Sequence, residues 1–197
     1  MYSQATSKAQ KTVANPEYDQ ILSNVSDAIY HGDINKVKDL LDQDPSIQNY
    51  ISQKILWGRE IKSSVWVTRI PPLHAAADRG NCAMVKLLIH DYDFQLDARE
   101  IFTTGLSMTP LHEAICCEKI DMVELLLGLG ADASLGGKWR RKTFKDALEL
   151  VKILQAEDDS DQDELKKIED LLRKPKDTKG RYQTRTELFH TSGSCSV

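Results

Sequence analysis

Apolar residues recur along this chain in a spacing that repeats itself. Val85, Leu88 and Ile89 fall at i, i+3 and i+4, which places them on one face of a helix. Val123, Leu126 and Leu127 repeat that spacing, and Val37, Leu40 and Leu41 show it earlier in the chain. Ahead of each run lies another apolar stretch: Val25, Ala28 and Ile29 in the first case, Leu73 to Ala77 in the second, Leu111 to Ile115 in the third. A breaker separates the two stretches each time. Gly32 and Gly80 stand five residues before Val37 and Val85, and Glu118 takes the same place before Val123. The pattern predicts pairs of short helices joined by tight turns. No pair can bury its apolar face alone, so neighbouring pairs must stack.

Local chemistry supports these boundaries. In Thr109-Pro110-Leu111-His112-Glu113-Ala114, the threonine suits a helix cap and the proline suits the first helical position. Ala76 and Ala114 are small enough to let helix pairs approach closely. Gly130 can adopt the left-handed conformation that ends a helix. Pro71-Pro72-Leu73-His74-Ala75-Ala76 repeats the motif, with Leu73 and Leu111 38 positions apart, and Gly130-Ala131-Asp132 closes the third unit. In these residues the chain resembles the ankyrin-repeat family, strongly over 71–135, less so over 18–47 and weakly over 143–174. The resemblance implies an all-α repeat solenoid of stacked helix-turn-helix units with finger loops. It also implies that His74 and His112 hydrogen-bond within and between turns.

The expected organisation is a tail over 1–15, a repeat domain over 16–174 and a basic tail over 175–197. Both tails are polar enough to be disordered. Within the domain the units run at about 18–47, 71–100 and 109–135, with a degenerate fourth at 143–174. The fourth unit's helices are expected over 144–155 and 163–174. Gly32 and Gly80 lie 48 residues apart, whereas the usual repeat is about 33. The excess falls in an insertion over 50–70 that holds Trp57 and Trp66 among aliphatic residues. It is too apolar for a solvated linker. A strand pair or short helix folded onto the solenoid is one reading, an enlarged finger loop forming a binding surface is another, and both can hold. A smaller insertion lies near 94–107.

Composition narrows the function classes. A net charge of −4 over 197 residues gives no chain-wide attraction to nucleic acid or membrane. No apolar stretch is long enough to cross a bilayer, and the first thirty residues lack the layout of a secretory leader. The four cysteines, Cys82, Cys116, Cys117 and Cys195, include no Cys-x-x-Cys pair. Reduced thiols in the cytoplasm or nucleus are therefore expected. Cys195 stands third from the end rather than fourth, so a prenylation box is not expected.

Catalytic motifs are missing: there is no nucleophile elbow, phosphate-binding glycine loop or His-Glu-x-x-His pair. Asp159, Asp161 and Asp163 imitate the start of a calcium loop, but Glu164 occupies the place of the required glycine. Capping of a helix by Ser160 or Asp161 fits that segment better. The sequence thus points to a non-enzymatic protein without cofactor or metal, monomeric by itself.

The leading functional expectation is an adaptor or inhibitor that binds a partner protein through the concave face of fingers and first helices. By alignment, the exposed first-helix positions are Tyr30, His31, Asp78, Arg79, Glu113 and Cys117. Trp57 and Trp66 are candidate aromatic anchors, since tryptophan dominates many interface hot spots; core packing is the competing role. The alternative expectation is nucleic-acid or nucleotide binding through Trp139, Arg140 and Arg141. The acidic block over 157–164 opposes it, and the alternating charges can equally complement one another on the surface. Ser160, followed by Asp161 and Asp163, also suits an acid-directed kinase.

Overall fold

The computed structural model describes residues 16–43, 72–101, 107–157 and 160–174. Within them eight helices form four antiparallel pairs: α1 (Pro16–His31) with α2 (Ile34–Asp42), α3 (Pro72–Asp78) with α4 (Cys82–His90), α5 (Pro110–Cys116) with α6 (Ile120–Leu129), and α7 (Ala147–Gln155) with α8 (Gln162–Leu172). The first helices stack in the order α1, α3, α5, α7, and α4, α6 and α8 follow behind them. These are the stacked helix pairs that the periodicity predicts, arranged as the all-α repeat solenoid that the resemblance implies. The fourth pair is present, with its helices at 147–155 and 162–172.

The turns within the first three helix pairs share one hydrogen-bond pattern. The amides of Gly32 and Asp33 donate to Ile29 and Ala28, those of Gly80 and Asn81 to Ala77 and Ala76, and those of Glu118 and Lys119 to Ile115 and Ala114. The reversal needs a left-handed residue, and Gly32 (φ 74°), Gly80 (φ 68°) and Glu118 (φ 55°) supply it. Consecutive turns also touch. A Cβ on Gly32 would stand 3.2 Å from the Asn81 side chain, and one on Gly80 would stand 3.5 Å from that of Lys119. At the third turn the Asp161 amide lies 3.3 Å from both carboxylate oxygens of Glu118.

Thr109 and Asp161 cap helices where the sequence places them, whereas the fourth unit's first helix starts at 147 rather than 144 because Phe144 pairs in a strand and Asp146 caps the helix. Thr109 Oγ1 accepts from the His112 amide, while the Thr109 amide donates to His112 Nδ1 at 3.0 Å. Asp33, Asn81, Asp146 and Asp161 cap α2, α4, α7 and α8. Because Nδ1 of His112 accepts a hydrogen bond and so carries no proton, Nε2 of the neutral ring must carry one, and it donates to the Leu135 carbonyl at 3.0 Å. His74 Nε2 likewise lies 3.0 Å from the Met108 carbonyl. Each imidazole thereby ties a first helix to the segment that leads to the next unit, the role that the resemblance implies.

One continuous core runs through all four pairs. Ala28, Ala76 and Ala114 lie where first helices meet and are at most 1% exposed. Val85, Leu88, Val123, Leu126, Leu150 and Ile168 fill the space between layers. Each such side chain contributes roughly 1.5–3 kcal/mol relative to exposure. The seam relies on alanine because a larger side chain would hold adjacent helices apart.

The insertion over 50–70, with Trp57 and Trp66, and the tails over 1–15 and 175–197 lie outside the described residues. Part of the second insertion is described. Tyr92 and Phe94 are buried, and β1 (Glu100–Ile101) pairs antiparallel with β2 (Ser107–Met108). Asp97 accepts from the Asp132 amide at 3.1 Å, and Arg99 donates to the Gly136 carbonyl at 2.9 Å. The insertion is thereby fastened to the end of the third unit. A second hairpin, β3 (Gly137–Trp139) with β4 (Lys142–Phe144), packs beside β2.

Candidate partner-binding face

The six first-helix positions singled out from the sequence come together in space. Counting back from the turn, Tyr30, Asp78 and Cys116 occupy equivalent places in successive units, followed by His31, Arg79 and Cys117. Stacking of α1, α3 and α5 turns this register into a ladder across three units. The Arg79 guanidinium lies over the Tyr30 ring, 3.5 Å from its centroid. Asp78 Oδ2 stands 3.7 Å from Arg79 Nε, and the Cys117 thiol donates to Asp78 Oδ1 at 3.1 Å. His31 meets Tyr30 edge-on at 5.5 Å, and its Nδ1 lies 2.8 Å from the Asp27 carbonyl.

Exposure divides this set. Tyr30, His31 and Arg79 are exposed as expected, and Tyr30, at 47%, is the exposed large hydrophobic among the described residues. Asp78, Glu113 and Cys117 are half-buried, which corrects the expectation that all six are exposed. The reason is the stacking itself: α3 and α5 pack closely across alanines, so neighbouring side chains cover what alignment alone leaves open.

Glu113 and the two cysteines of this face resist ionisation. Burial, then the neighbouring Asp78 charge, raises the Glu113 carboxyl above its ordinary value. The Cys117 thiol is pushed up to about 12, by burial first and by its bond to Asp78 second. Burial and then Glu113 push Cys116 up as well. Thiols held protonated are poor nucleophiles. His74 and His112 are buried in structural bonds, and burial pushes both down to about 4. The face offers a stacked aromatic–guanidinium pair beside the carboxyl groups of Asp78 and Glu113.

The basic hairpin carries the other candidates. Trp139 is partly buried against the core, and Arg140, left-handed at φ 52°, lies over its ring at 4.3 Å. Lys142 Nζ bonds Glu157 at 2.7 Å, and Arg140 Nη1 reaches the same carboxylate at 3.5 Å. Arg141 is exposed at the turn. Part of the positive charge that would attract phosphate is therefore engaged by the start of the acidic block. Among the described residues no cluster of His, Cys, Asp or Glu is placed to hold a metal ion, and no helix is long and apolar enough to cross a membrane. Asp159 lies outside the described residues, while Asp161 acts as the cap of α8.

Three contributors escaped the sequence reading. Cys116 shares the register of Tyr30 and Asp78, a signal present in the alignment. Glu118 joins the third and fourth units, and its only signal is that it replaces a glycine. Glu157 lies in the acidic block that the sequence sets against the basic segment, but its pairing with Arg140 and Lys142 in particular comes from the packing of the hairpin against the end of α7.

The family model described as ankyrin repeats (3 copies) matches residues 25–135. No curated protein matches the chain.

Proposed function

The chain belongs to the ankyrin-repeat family, and from that premise we propose that it is a non-catalytic adaptor or inhibitor holding a partner protein against its concave finger and first-helix face. Ankyrin repeats are generally protein–protein interaction modules. The observation that carries the finer reading is the ladder from Tyr30 and Arg79 through Asp78 to Cys117, which links three units through side chains on one face. A tyrosine and an arginine held together in advance lose little side-chain freedom on binding, and both types dominate interface hot spots. In this reading residues 16–174 form the interaction domain, the chain is monomeric by itself, and it works in the cytoplasm or nucleus with reduced thiols. Trp57 and Trp66 are proposed additional anchors.

The test is affinity capture of the full chain with quantitative mass spectrometry, followed by reconstitution with the purified candidate. Tyr30→Ala and Arg79→Glu should each weaken that complex at least about tenfold, the loss expected of a hot-spot residue. Lys86→Glu, on exposed outer-layer surface, should leave it unchanged. Equal affinity of all four proteins would overturn the assignment of this face.

A further inference from the structure

We propose that Ser160 is a phosphorylation site for an acid-directed serine kinase, and that its phosphate loosens the junction between the third and fourth units by expelling Glu118. Two independent observations meet here. The first concerns the serine. Ser160 lies in a bend between α7 and α8, is partly exposed, and its hydroxyl bonds to no described residue. Asp161, Asp163 and Glu164 follow it at +1, +3 and +4, and kinases select substrates by such charge patterns. A partly exposed serine outside both helices can enter a kinase cleft without melting either one.

The second concerns the opposite side of the junction. Glu118 occupies a turn position that is glycine in the first two units, and it is left-handed at φ 55°. A side chain there is strained, and such strain persists only where surrounding contacts impose it. The contact is visible: both Glu118 carboxylate oxygens lie 3.3 Å from the amide of Asp161, the residue joined to Ser160. Glu118 therefore clasps the fourth unit at the cap of α8.

The reaction is ordinary phosphoryl transfer. The Ser160 oxygen attacks the γ-phosphorus of ATP, the bond from that phosphorus to the β,γ-bridging oxygen breaks, ADP leaves, and the hydroxyl proton passes to the kinase base. The product carries about −1.5 to −2 charges at neutral pH. One residue from the Asp161 amide, that group competes for the amide proton and repels the Glu118 carboxylate. Without its clasp, the left-handed Glu118 is held only by the turn bonds of its own amide and that of Lys119.

The test uses the full chain, an acid-directed serine kinase and ATP, with tandem mass spectrometry locating the phosphate and hydrogen exchange reading the junction. Ser160 should be modified, and Ser160→Ala should lack that phosphate. On modification, amides over 118–119 and 161–165 should exchange at least threefold faster, with those of α3 and α4 unchanged. Glu118→Gly removes both carboxylate and strain, so phosphorylation should then change the same amides by less than half as much. An unmodified Ser160 under conditions that phosphorylate an acidic control peptide would overturn the proposal. So would unchanged or slower exchange on modification, or an equal acceleration in Glu118→Gly.

Discussion

Nε2 of His74 lies 3.0 Å from the carbonyl of Met108, 34 residues along the chain and at the threshold of the next unit. His112 repeats the arrangement with Leu135. Both imidazoles are fully buried, and together they join three successive units through polar contacts inside an otherwise apolar core.

Acid should therefore destabilise the solenoid before its surface carboxylates are fully protonated. Burial lowers both histidines from 6.5 to about 4, so the folded chain keeps them neutral while the unfolded chain binds protons below 6.5. Their contribution is fully present above that value and shrinks as pH falls toward 4, by about 2 kcal/mol for each histidine at pH 5. Glu113 and Asp97, raised by burial, act in the opposite sense in the carboxylate range and offset part of the loss. Urea unfolding at pH 7 and pH 5 should show a lower midpoint at pH 5; equal midpoints would contradict the burial of neutral imidazoles.

Tyr30 and Arg79 should be coupled, yet matter little to folding. Their stacked contact is exposed, where such pairs contribute about 0.5–1 kcal/mol. Unfolding of Tyr30→Ala, Arg79→Ala and the double variant should give a coupling energy in that range. A value indistinguishable from zero would mean that the pair is not held together in solution.

Gly80→Ala should destabilise the chain by about 1 kcal/mol, the cost of placing an L side chain at a positive φ. Space is not the obstacle, because the new Cβ would meet only the Lys119 side chain at an ordinary 3.5 Å. Thermal unfolding checks this directly, and an unchanged or raised midpoint would show that the turn tolerates another conformation.

Cys116 and Cys117 should react slowly with iodoacetamide at pH 8. With Cys117 pushed up to about 12 and Cys116 also raised, their thiolate fractions are very small. Alkylation followed by mass spectrometry should run at least about 100-fold slower in the native chain than in urea. Comparable rates would show that the Asp78–Cys117 contact opens readily.

Much of this architecture was legible in the pattern of residues. The spacing of Val85, Leu88 and Ile89, repeated at Val123, Leu126 and Leu127, announces buried helix faces because helical geometry projects such positions to one side. Thr109-Pro110 and Gly130 mark helix ends through chemistry that acts within a few bonds. The register that aligns Tyr30 with Asp78, and His31 with Arg79, follows from the repeat itself. The second insertion was legible only as ordered: its apolar residues predict burial, but nothing local says that Asp97 reaches Asp132 or that Arg99 reaches Gly136.

By itself the sequence determined where α5 begins, which faces the helices bury and that the units must stack, since each of these depends on residues a few positions apart. Tertiary structure alone decided that Arg79 rests on Tyr30, that Asp78, Glu113 and Cys117 sink between stacked helices, and that Glu118 grips the cap of α8. These contacts join residues roughly 40 to 50 positions apart in the chain, and their geometry comes from the offset between neighbouring units, which no local spacing encodes.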